Sequence, residues 1–86
     1  MATTTPAARA ARARFRKLLA RQLEPVEVKT ILHVLKAELR GKHFRATRLG
    51  VAESLVRRNW LVRDSAGNVS LSSATRQILS DCEAAG

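Results

Sequence analysis

Aromatic side chains are scarce: Phe15, Phe44 and Trp60 are the whole set, and tyrosine is absent. Stacking on unpaired bases is therefore a poor candidate for a main binding mode, and the core must be aliphatic. Cys82 is the single cysteine, so there is no internal disulfide and no Cys-x-x-Cys metal or redox pair. The four glycines are scattered, which excludes a glycine-rich phosphate loop. His33 and His43 stand in no His-Glu-x-x-His arrangement, and His33 reads as a surface or partly buried histidine. No metal ligand set and no cofactor site are expected. No apolar run approaches the roughly 18 residues that span a bilayer, so no membrane association is expected. A nucleophile built from Cys82 with either histidine needs a sheltered pocket, which 86 residues supply poorly. The sequence reads as a non-enzyme.

Acidic residues are also few, and their distribution matters more than their number. The formal net charge is +9. Residues 1–63 hold fifteen Lys/Arg against four Asp/Glu, a net of +11, while residues 64–86 hold one against three, a net of −2. Residues 1–23 contain no acid at all and six Lys/Arg. Such an excess repels itself unless a polyanion relieves it. The same composition describes a mitochondrial presequence or a basic arm that wraps nucleic acid. The arm is the preferred reading, because a very short domain would remain if the segment were removed. It implies a cytoplasmic or nucleoid-associated protein.

Residues 1–6 read as a disordered start closed by Pro6, and residues 7–84 as one domain. Ala8, Ala11, Phe15, Leu18, Leu19 and Leu23 recur at helical spacing, with Arg9, Arg12, Arg14, Arg16, Lys17 and Arg21 filling most other positions. This predicts a basic amphipathic helix over 7–23. Its apolar residues Phe15, Leu18, Leu19 and Leu23 serve either a homodimer contact or packing within the domain. Val28, Ile31, Leu32, Leu35 and Leu39 predict a helix from Pro25 to Arg40, stopped at Gly41. Lys42–Arg45 is a connection carrying Phe44. A third helix is predicted from Ala46 to Asn59, with Leu49, Ala52, Val56 and Trp60 on one side and Thr47, Val51, Ser54 and Arg58 on the other. Gly50 within it marks a close helix crossing, a ligand approach or a break. Trp60–Asp64 and Val69–Leu71 form a hairpin around Ser65–Asn68, where Gly67 and Asn68 tolerate positive φ. Ser72 or Ser73 caps a final helix with Ala74, Ile78, Leu79 and Cys82 inward. The expected fold is mainly α with a small β-hairpin, in the order helix, helix, helix, hairpin, helix.

Leu55-Val-Arg-Arg-Asn-Trp-Leu-Val62 and Leu71-Ser-Ser-Ala-Thr-Arg-Gln-Ile-Leu79 resemble the second half of a winged helix-turn-helix domain. Asn59 stands where glycine is usual, Ser72 replaces the usual capping threonine, and Thr75 replaces a glycine. The resemblance covers about 25 residues, Leu55 to Leu79. It implies duplex DNA binding by a small transcription regulator or an architectural protein, often a dimer. The third helix would then present Thr47, Ser54, Arg57 and Arg58 to the major groove. Arg45 and Arg48 would clamp phosphate near its start, and Arg63 would lie on the wing. Arg9, Arg12 and Arg16 of the first helix would add sequence-independent phosphate contacts. Two alternatives stand beside this: a module that docks on an acidic protein surface of a nucleic-acid enzyme, and an RNA- or ribosome-associated protein.

Overall fold

A computed structural model describes residues 5–45 and 49–85, with the Leu49 side chain excluded. The described chain is mainly helical with a small antiparallel sheet: α1 (Pro6–Gln22), α2 (Pro25–Leu39), β1 (Phe44–Arg45), α3 (Leu49–Arg57), β2 (Leu61–Arg63), β3 (Asn68–Leu71) and α4 (Ser73–Ala84). Of the segment 1–6, expected to be disordered, residues 1–4 lie outside the described residues. Pro6, assigned to that segment by sequence, is instead the first residue of α1. Thr5 caps it, its hydroxyl accepting from the Ala8 N–H at 3.1 Å.

Element ends follow local chemistry. Gly41 adopts φ +67°; its N–H donates to Glu38 O at 3.0 Å, and that of Lys42 to Ala37 O at 2.8 Å. Asn59 adopts φ +63°, the one positive φ at a non-glycine among the described residues. Its N–H donates to Val56 O at 3.1 Å and that of Trp60 to Leu55 O at 2.9 Å. Both are Schellman closures, which satisfy carbonyls that a helix end would otherwise leave without partners. The hairpin loop closes through Asp64: its Oδ1 accepts the N–H groups of Ala66 and Asn68, each at 2.9 Å. Gly67 supplies the left-handed residue at φ +87°. Asn68 does not share it; Asn68 is already in β3.

α2 is the hub. It packs against α1, α3, β1 and β3, while α1 packs chiefly on α4 and α3 also packs on β2. Its buried arc is therefore wider than one stripe: Val28, Ile31, Val34 and Leu35 are all inside. Val34 was not expected there. Leu39, expected in the core, is 60% exposed.

The sheet has the order β1-β3-β2. β1 was read as plain connection; Phe44 pairs with Val69 and Arg45 with Asn68. The inner face of the sheet, Leu61, Val69 and Leu71, closes over Phe15, Leu19, Ile31, Val34 and Leu55. Phe15, Leu19 and Leu23 are buried against their own domain, so they form no dimer surface. Only Leu18 of that set remains open, at 38%.

α3 departs most from expectation. It is described from Leu49 to Arg57, and Ala46, placed at the helix start by sequence, lies outside the described residues. The buried positions are Ala52 and Leu55, flanked by half-buried Val51 and Val56. Relative to the sequence reading the helix is turned by about a quarter turn. Val51 faces the core, and Gly50 and Arg57 lead the open side. A Cβ on Gly50 would meet nothing within 4 Å, so no close helix crossing explains that glycine.

A buried polar knot joins hairpin, α3 and α4. Ser72 Oγ accepts from Thr75 N at 3.1 Å and donates to Asn59 O at 2.7 Å. Thr75 Oγ1 donates to Trp60 O at 2.7 Å, and Trp60 O also accepts from Ser72 N at 3.2 Å. Threonine stands at position 75 for that hydroxyl.

Candidate nucleic-acid interface

The outer face of α1 is built from cations separated by alanines. Arg9, Arg12, Arg16, Lys17 and Arg21 are exposed, and between them stand Ala10, Ala13 and Ala20, which add no bulk. At 1.5 Å per residue the row from Arg9 to Arg21 extends about 18 Å. No carboxylate lies within α1. Arg14 plays a different part. It is half-buried and turns inward, its Nε donating to Cys82 O at 3.4 Å. That places a cation at the C-terminal turn of α4, where the helix dipole favours one and where α4 has no basic residue of its own. Arg14 Nη2 is buried without a partner.

Three ion pairs occur among the described residues, and none includes a residue of α1. Arg58 Nη1 meets Glu27 Oε2 of α2 at 2.6 Å. Arg57 meets Glu53 one turn earlier at 3.7 Å. Arg76 grips Glu38 with both guanidinium nitrogens, at 3.1 and 2.5 Å, and the same carboxylate accepts Leu71 N at 3.3 Å. These pairs absorb three of the four acids in residues 1–63.

The residues expected on a recognition helix are consequently scattered. Arg57 is exposed but shares its face with Glu53. Arg58 is exposed on the flank and is turned toward α2. Ser54 is half-buried. Thr47 and Arg48 lie outside the described residues. Arg45 and Arg63 are both exposed, yet the register parts them. Arg63 pairs with Val69 and Arg45 with Asn68, and neighbouring residues of a strand point to opposite faces. Arg45 Nε lies 3.4 Å from Asn68 Oδ1. The two arginines therefore leave opposite sides of the sheet.

Asp64, at the hairpin turn, has its carboxyl held below the usual range. The Asn68 N–H is the main cause; desolvation opposes it, and the Ala66 N–H, the Asn68 side chain and nearby His43 add to the lowering. A fixed negative charge at the tip sets the hairpin against a phosphate backbone.

One depression does join two basic elements. Arg21 and Gln22 of α1 line it together with Glu24, Glu27 and Arg58, the residue that follows α3. Sequence spacing gave no hint of this junction, since residues 21 and 58 come to line one depression only through the packing of α1 and α3 on α2. No group of three or more metal-ligating side chains and no helix long and apolar enough to cross a membrane occurs among the described residues. Comparison of the chain with protein-family models, with curated proteins and with solved structures finds no match in any of the three.

Proposed function

We propose that this protein binds nucleic acid, duplex DNA by preference, and that the outer face of α1 is the main contact, with Arg58 beside its C-terminal end. A single observation carries the reading: α1 holds no carboxylate and its cations enter no ion pair among the described residues, whereas every other helix carries acids and Arg57 and Arg58 are each held by one. A row of about 18 Å matches about five phosphates by the axial rise of one strand. Contacts of this kind give affinity without sequence information, which suits an architectural or accessory protein. The resemblance of residues 55–79 to winged helix-turn-helix domains favours DNA over RNA.

The test is fluorescence anisotropy of a labelled 20-base-pair duplex across a salt series. Five neutralised phosphates give a log–log slope of roughly −4.5. Replacing Arg9, Arg12 and Arg16 by alanine should reduce its magnitude by about 2.7 and leave the melting curve unchanged, since all three are exposed. An unaltered slope in that variant, or no binding at low salt, refutes the assignment.

A further inference from the structure

α1 and α2 lie side by side and leave a groove of about 530 Å³ between them. Its floor is apolar: Leu23, Val28 and half-buried Leu32. Its rims are cationic or titratable. Arg16 stands on the α1 side; Lys29 and His33, one helical turn apart, stand on the α2 side. No carboxylate lines it, and neither Arg16 nor Lys29 enters an ion pair among the described residues. Ala20 sits one turn beyond Arg16 on the α1 rim, where a larger side chain would narrow the opening.

We propose that this groove docks an acidic amphipathic helix from a partner protein. The proposal shares Arg16 with the polyanion face of α1 but stands on the apolar floor and the α2 rim, which that contact does not use. An apolar floor between basic rims has two requirements, and the occupant must meet both. A nucleic-acid backbone supplies charge but no apolar ridge. A helix with leucine-like side chains at i, i+3, i+4 and i+7 lays that ridge along Leu23, Val28 and Leu32. Its flanking carboxylates then meet Arg16 on one side and Lys29 with His33 on the other, and this complementarity fixes orientation as well as partner.

The experiment is an NMR titration of the full ¹⁵N-labelled chain with a synthetic 14-residue peptide carrying leucine at those four positions and glutamate elsewhere. A scrambled peptide of equal composition is the control. Saturable shifts are expected at the amides of Ala20, Leu23, Leu32 and His33. Lys29→Glu should weaken the peptide about tenfold or more, while Lys36→Glu, with the same change of charge on the same helix outside the groove, should alter it by no more than about threefold. Equal loss in both variants, equal binding of the scrambled peptide, or no shifts at low salt overturns the proposal. So does co-sedimentation with phosphatidylglycerol vesicles that depends on Lys29 when the peptide fails to bind. A duplex that fails to bind while the peptide succeeds removes only the nucleic-acid reading.

Discussion

Ser72→Ala tests whether the polar knot beneath the hairpin holds the fold together. Ser72 is 1% and Thr75 0% exposed, so water cannot replace what a substitution removes. Ser72→Ala deprives the Thr75 N–H of its cap, which costs about 1 kcal/mol. It also leaves Asn59 O without its donor, worth a further 1–2 kcal/mol or so. A total of about 2–3 kcal/mol lowers Tm by roughly 10–20 °C in a domain of this size. Thr75→Val keeps the shape and strips one donor from Trp60 O, which retains the Ser72 N–H at 3.2 Å. Its cost should be about 1 kcal/mol, or roughly 4–8 °C. The hydroxyls of the two residues are 3.0 Å apart, so the double variant should lose at least about 0.5 kcal/mol less than the sum. Thermal and urea unfolding followed by circular dichroism measure all three. A Ser72→Ala protein within about 0.5 kcal/mol of the parent, or a Thr75→Val protein more stable than it, refutes this reasoning.

Leu35→Ala should cost about 2–5 kcal/mol through a cavity at the hub helix; a parental urea midpoint would show that α2 is not central. Arg57→Ala with Arg58→Ala breaks only exposed or half-exposed pairs, so the change in unfolding free energy should stay within about 1 kcal/mol. The same variant should weaken duplex binding less than the α1 triple variant does, and a larger loss in anisotropy would return α3 to the centre of the interface. The lowered Asp64 carboxyl ties the hairpin loop to pH. Its contribution is complete above the unfolded carboxyl value, near 3.8, and is lost as pH falls through the still lower folded value. The Ala66 and Asn68 amide resonances should move together in that acid range. Resonances that stay flat between about pH 6 and pH 2 would show that the loop does not depend on the carboxylate.

The parts of this fold that were legible in the sequence are those decided locally. Gly41 and Asn59 announce helix ends because left-handed backbone admits few other residues. The helices over Val28–Leu35 and Ala8–Leu19 show their period plainly. What stayed hidden depends on neighbours. β1 is two residues long, too short for any alternation to register, and it exists because β3 offers an open edge. The rotation of α3 follows from Leu55, whose place in the core depends on α2 and β2 rather than on the spacing of the apolar residues around it. Val34 is buried because α2 has partners on several sides. The ion pairs that disarm Arg58 and bind Arg76 join residues 31 and 38 positions apart, beyond any helical spacing rule. A count of arginines therefore does not reveal that Arg57 and Arg58 are paired with carboxylates while the cations of α1 are not.

The pairing of α1 with α4 has a consequence in time. About fifty residues separate the end of α1 at Gln22 from the start of α4 at Ser73, which a ribosome takes roughly 3–10 s to add. During that interval α2 can cover only part of the apolar side of Phe15 and Leu19. The cations on the opposite side already have their final spacing as soon as the helix winds, within about a microsecond. A nascent chain thus offers its charged surface seconds before its core is closed, and anything that grips α1 in that window acts on a domain still waiting for its last helix.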